Sequence, residues 1–154
     1  MTTLLCLVRH GRATGQGHDS GLMPEGAVYV ATLGRFLHRE GWTPAAAFSS
    51  PYARARDTAR ILLAELASDL PLAQVGELTP DWDPDDALHA LRAHGLPEGR
   101  VLVVSHMPLV ARLAQRLTGE IVDFHPGKLA EIELAPGADR GTLRRELGRE
   151  TIEG

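Results

Sequence analysis

The sequence predicts an α/β protein: a three-layer α/β/α sandwich around a mostly parallel sheet, with an antiparallel strand pair at the carboxyl end. Three observations predict it. Two short, continuous apolar runs, Leu4-Leu5-Cys6-Leu7-Val8 and Val101-Leu102-Val103-Val104, have the length and composition of strands covered on both faces. Each ends abruptly in polar residues and is followed by a helical pattern, as in successive βα units. Finally, Pro136-Gly137-Ala138-Asp139 separates two strand-like segments near Leu129–Leu134 and Thr142–Leu147, the pattern of an antiparallel hairpin.

The elements follow in order. The first strand spans about Leu4 to Val8, and a glycine-rich loop runs from Gly11 to Gly21. Pro24-Glu25 opens a helix to about Glu40, with Val28, Leu33, Phe36 and Leu37 expected on its apolar side. A short strand near Ala46–Phe48 leads into a helix from about Ala53 to Ala67, then a weak strand near Ala73–Val75. An acidic turn from Asp81 to Asp86 follows. Within it Asp83-Pro84 reads as a helix start, aspartate as cap and proline at the first position. That helix runs to about His94, the fourth strand is Val101–Val104, and Pro108–Leu117 is a helix. The pattern shows no repeats or linkers, so residues 1–154 are expected to form one domain, long enough for a substantial core.

Composition narrows the function. A net charge of −4 argues against a general nucleic-acid binder. No apolar run approaches the roughly 18–20 residues of a membrane span, and the amino terminus lacks the basic region of a secretory signal. The single cysteine, Cys6, cannot form an internal disulfide and is expected as a buried thiol. Together these point to a cytoplasmic protein with no nucleic-acid or membrane partner.

The chemistry gathers at the strand ends, where open α/β sheets place their ligands. The first run ends in Arg9-His10-Gly11. Arginine offers a rigid fork of donors matched to phosphate, histidine can act as a nucleophile, and glycine lets the backbone turn close to a ligand. The second segment, Ser49-Ser50-Pro51-Tyr52-Ala53-Arg54-Ala55-Arg56-Asp57-Thr58-Ala59, opens the second helix. The third, Val104-Ser105-His106-Met107-Pro108, is a strand ending in histidine with proline opening the next helix. In a parallel sheet all three junctions lie on one edge.

In order and in kind these segments resemble the histidine phosphatase superfamily, the phosphoglycerate mutase-like proteins. The small size, Glu77-Leu78-Thr79-Pro80 and Val104 to Val110 are most similar to the short bacterial phosphohistidine phosphatases of the SixA type. The resemblance covers about Leu4 to Leu134. It implies that Arg9, His10, Arg54 and His106 occupy the four core catalytic positions, and that no cofactor or metal is needed. His10 would take up the phosphoryl group as a phosphohistidine intermediate, which water then hydrolyses. The ring must be neutral to attack, and Arg9 and Arg54 beside it would lower its pKa. The same arginines, with His106 as a third cationic donor, would bind the phosphate oxygens. Many relatives use a carboxylic acid after the second motif as proton donor. Glu77 is the best match, with Asp81 and Asp83 as rivals on the same loop.

The remaining polar residues carry blander expectations. Arg56 and Arg60 are expected to face solvent, as helix charges usually do. Ser50 and Ser105 are expected to serve the backbone at strand ends. His18 and His125 are candidates for the pocket wall. The histidines show no metal-ligand spacing. Two positions depart from the family pattern. Arg12 stands where many relatives have an acid, adding positive charge at the mouth of the site. Met23 stands where threonine would cap the first helix better.

Three function classes follow. One is a phosphatase acting on phosphohistidine in a protein or peptide. The second is a phosphatase or mutase acting on small phosphomonoesters. The third is a non-catalytic phosphate-binding module, which the intact set of Arg9, His10, Arg54 and His106 disfavours. Little sequence separates Arg54 from Glu77, leaving little material for a lid, and an open site suits a protein substrate.

Overall fold

The computed structural model describes residues 2–15 and 19–153. Its centre is a six-stranded sheet in the order β3-β2-β4-β1-β5-β6, formed by β1 (Thr3–Arg9), β2 (Pro44–Ser49), β3 (Leu72–Gln74), β4 (Gly99–Ser105), β5 (Leu129–Leu134) and β6 (Thr142–Leu147). Strands β3, β2, β4 and β1 run parallel, and β5 and β6 add antiparallel neighbours. The α/β class and the closing strand pair are as the sequence predicts.

Side chains alternate between two cores, one on each face of the sheet. On β1, Leu5 and Leu7 join Val101 and Val103 of β4 under α3 (Pro84–His94) and α4 (Leu109–Thr118). Cys6 and Val8 join Leu102 and Val104 on the other face, under α1 (Pro24–Arg39) and α2 (Ala53–Glu65). Period-two alternation with both faces covered is why these strands read as unbroken apolar runs. Cys6 is fully buried, as expected.

The helix ends obey the local chemistry. Asp83 caps α3 by accepting from the Asp85 amide at 2.9 Å, with Pro84 in the first turn. Met23 gives α1 no side-chain cap; the Met23 amide instead donates to the Arg12 carbonyl at 2.9 Å. One expected face is corrected. Val28 is 64% exposed, and the buried stripe of α1 is Tyr29, Val30, Leu33 and Leu37 with Gly26 and Gly34. Leu33 and Leu37 are buried and Phe36 packs half-buried against the same core, as expected, so only Val28 falls outside the stripe. A Cβ at Gly34 would lie 2.6 Å from the Glu65 Cβ, so glycine marks the contact line that an apolar count overlooks.

Two short elements were not foreseen: a single 3-10 turn at Gly76–Leu78 and the helix α5 at Arg149–Glu153. Neither is long enough to show a periodicity. Among the described residues no helix is long and apolar enough to cross a membrane.

Candidate active site

The carboxyl ends of β1, β2 and β4 meet at one edge, and each delivers part of the site. β1 continues through the charged Arg9 because the strand is paired on both sides. The turn after it is held by its backbone: the His10 amide donates to the Ser105 carbonyl at 3.0 Å, and the Gly127 amide donates to the carbonyls of Arg9 and His10. The Gly11 amide donates to Thr58 Oγ1 at 3.0 Å, and Thr58 Oγ1 in turn donates to the Arg54 carbonyl at 2.7 Å. One threonine therefore ties the His10–Gly11 turn to the turn of α2 that carries Arg54. Gly11 is required by space, since a Cβ there would come within 2.8 Å of Val30. Gly127 is required by both its φ of +83° and the Tyr29 ring.

Arg9, His10 and Arg54 line a cavity of about 410 Å³, with Arg12, Ser20 and Pro126 among the other wall residues. A larger hollow of about 480 Å³ lies elsewhere, between β2, the approach to β3 and the end of α3; it is lined mostly by alanine, proline and leucine. Of the two, the smaller one holds the strand-end arginines and histidine.

His10 Nδ1 lies 2.7 Å from the Gly11 carbonyl. A carbonyl only accepts, so Nδ1 carries the proton and Nε2 keeps its lone pair. Burial, opposed by the Gly11 bond and reinforced by Arg54 and Arg9, lowers the His10 pKa to about 4. Arg9 is anchored through Nη1 to the Phe124 carbonyl at 2.9 Å, while its Nε is buried without a partner. The Arg54 guanidinium lies over the Tyr52 ring, 4.9 Å from its centroid.

His106 is only 1% exposed, its ring 5.0 Å from that of His10. Its Nε2 is 2.7 Å from Ser50 Oγ, and its Nδ1 is buried with no partner. Burial, then His10, Arg54 and Arg9, lowers its pKa to about 3. The expectation of a cationic His106 is therefore corrected: the ring is neutral at physiological pH and can donate only through an N–H.

The other expected residues divide. Glu77 sits half-buried in the 3-10 turn beyond β3, pinned to the sheet edge where Ser105 Oγ donates to the Leu78 carbonyl at 2.7 Å. It is not among the residues lining the cavity. Asp81 is exposed and Asp83 is committed to its cap. Arg60 is exposed as expected, but Arg56 is half-buried and turned back to the Pro51 carbonyl. Arg12 does line the mouth, paired loosely with Glu25 at 3.5 Å. His125 is corrected: its Nδ1 donates to Pro126 and its Nε2 accepts from the Arg149 amide, so it fastens α5 rather than lining the cavity. His18 lies outside the described residues. Among the described residues no group of three or more His, Cys, Asp or Glu side chains is arranged to hold a metal ion.

Sequence reasoning missed the support residues. Ser50 reaches His106 as well as the backbone, and Asp19 Oδ1 accepts from the first amide of α2 at 2.6 Å. Thr58, four residues after Arg54 and so one helical turn on, had a readable spacing. The Phe124 carbonyl, a backbone group, had no signature.

Strand-end arginines around a half-buried imidazole of fixed orientation make an arrangement that can bind an oxyanion and present a nitrogen lone pair to it. Residues 5–79 match the model of the histidine phosphatase superfamily (branch 1), and the chain is similar to that superfamily over this stretch. The structure of the protein histidine phosphatase SixA complexed with tungstate is similar at TM-score 0.81 and 26% identity, covering 96% of this chain and 97% of that one. A protein assigned as the phosphohistidine phosphatase SixA of Agrobacterium tumefaciens is similar at TM-score 0.78 and 20% identity, with 95% and 97% covered. A phosphoglycerate mutase from Bacillus anthracis is similar at TM-score 0.71 and 18% identity, with 93% and 92% covered. A comparison with curated proteins finds none that matches. Family and fold make the chain an enzyme of the phosphatase type.

Proposed function

We propose that the protein dephosphorylates phosphohistidine carried by a protein or peptide, through a phosphoryl group held on His10. His10 Nε2 attacks phosphorus in line, and the bond from phosphorus to the substrate nitrogen breaks with its electron pair going to the departing imidazole. Water then attacks the phosphorus on His10. The new P–O bond releases inorganic phosphate, the Nε2 lone pair returns to His10, and the spare proton passes to solvent. Arg9 and Arg54 hold the non-bridging oxygens, where the transition state spreads its charge. His106 adds one N–H. The scheme uses no metal, so turnover is expected to persist in chelator. We take residues 1–154 as one catalytic domain working in the cytoplasm.

The observation that carries the substrate class is the cavity wall, which among the described residues contains arginines and a histidine but no carboxylate. An alkoxide leaving group needs an acid to protonate it. An imidazole leaving from phosphohistidine can already carry a proton on its other nitrogen, and transfer between two histidines is nearly balanced in energy. Tungstate, the tetrahedral oxyanion held by the similar SixA structure, is the kind of group such a wall would bind. Chain length does not decide between the classes, because the Bacillus anthracis mutase is covered over 92% of its length. The fold and wall thus leave small phosphomonoesters as the competing substrates. The test is a side-by-side measurement of kcat/KM on a phosphohistidine peptide and a panel of sugar and glycerate phosphates. We expect the peptide to be faster; a faster small phosphomonoester overturns the proposal.

A further inference from the structure

We infer that Ser50 is a positioning residue: its hydroxyl fixes His106 in the tautomer with the proton on Nδ1, so that the ring meets the phosphoryl group with an N–H. The inference rests on the reading of this cavity as the phosphoryl-transfer site.

The hydrogen bonds of Ser50 carry it. Ser50 is fully buried at the end of β2, locked to β4 where its amide donates a hydrogen bond to the Val104 carbonyl. Its Oγ accepts from the Tyr52 amide at 3.2 Å and lies 2.7 Å from His106 Nε2. A serine hydroxyl has one proton to give and two positions that accept. Were Nε2 also a donor to Oγ, the hydroxyl proton would be buried with no acceptor among the described residues, a costly arrangement. With the hydroxyl donating to Nε2, Ser50 Oγ and His106 Nε2 are both satisfied, and the one donor left over is the ring N–H at Nδ1. The single proton of the neutral ring then sits on Nδ1.

The other side of the ring agrees. Nδ1 is buried and has no partner in the protein. An N–H left free in this way is a donor that a ligand can use, and phosphoryl oxygens supply acceptors only. The opposite tautomer would turn a lone pair toward those oxygens and repel them. The groups around the ring are His10 at 5.0 Å and the Tyr52 ring at 5.2 Å, with Arg54 and Arg9 acting on it through their charge. Those cationic arginines oppose a second proton on the ring, so the choice of tautomer decides which side of His106 carries its single donor.

Two-bond 1H–15N spectra of the wild-type protein at neutral pH read the tautomer directly and need no variant. We expect His106 protonated at Nδ1. Ser50→Ala is expected to lose that preference and to lower kcat/KM by roughly 10- to 100-fold, as when the outer partner orienting a metal-bound histidine is removed. Tungstate affinity should fall with it, and Ser50→Thr, which keeps the hydroxyl, should recover both. A wild-type His106 protonated at Nε2 overturns the inference, as does a Ser50→Ala protein that keeps the tautomer and the rate. Failure of the wider reading looks different: His10→Ala would retain turnover, whatever the His106 spectrum shows.

Discussion

An imidazole attacks phosphorus only when one ring nitrogen has its lone pair free, and at His10 two separate features secure this. The Gly11 carbonyl occupies Nδ1–H, and burial with Arg54 and Arg9 nearby keeps a second proton off the ring. NMR titration of His10 should therefore give a pKa near 4, well below the usual value of about 6.5; a raised value would contradict the proposed electrostatics. His10→Ala should abolish turnover while leaving the fold intact, and rapid quench of the wild type should trap an acid-labile, base-stable phosphoryl group on His10. A fully active His10→Ala enzyme would end the mechanism. Glu77, outside the cavity wall, gives a sharper comparison. Glu77→Gln should cost little on phosphohistidine. If the residue reaches alkyl phosphomonoesters as an acid, the loss on those substrates should be roughly 10²–10⁴-fold, with aryl phosphates between. An equal fractional loss on all three would assign Glu77 a structural role.

At the scale of elements, the site is a set of strand ends fastened by short helices and their caps. Asp83→Ala removes the α3 cap and should lower stability by about 1 kcal/mol, seen as a fall in Tm of about 2–4 °C for a chain of this size. Activity should be unchanged, since α3 starts away from the cavity wall. Thr58→Val should act in the opposite sense. It keeps the shape of a buried side chain but breaks the link from the Gly11 amide to the Arg54 turn, so turnover should fall more than stability does. What the sequence revealed follows the same division. Arg9, His10, Arg54 and His106 were legible because each follows an apolar run or opens a helix, where side-chain chemistry has a fixed address. Asp83 was legible because a cap has a local pattern. Leu33, Phe36 and Leu37 were legible from the period of α1; Val28 was misplaced, because Gly34, which marks the contact with α2, carries no apolar signal. The neutrality of His106 was hidden because it depends on burial in the folded chain. The roles of His125 and Asp19 depend on contacts with α5 and α2, distant in sequence, that no spacing encodes.

For the molecule as a whole, holding two histidines uncharged inside the fold ties stability to pH. Unfolded, each ring titrates near 6.5. Folded, His10 and His106 titrate near 4 and 3. Between those values the unfolded chain binds protons that the native protein does not, so the native state is favoured above pH 6.5 and loses stability as pH falls. The slope approaches about 1.4 kcal/mol per pH unit for each histidine once the unfolded rings are protonated. Below about pH 4.5 a second loss begins, because Glu40 is held below its ordinary pKa chiefly by its hydrogen bonds to Arg145 and protonation breaks that pairing. Urea unfolding midpoints measured at steps from pH 7.5 to 5 should therefore fall steadily below about pH 6.5, in a range where exposed carboxylates do not yet titrate. His10→Ala, with one of the two groups removed, should show about half that slope. A wild-type midpoint unchanged from pH 7 to pH 5 would show that the two rings accept protons in the native state as easily as in the unfolded chain. The uncharged nucleophile on which the proposed chemistry depends would then be lost.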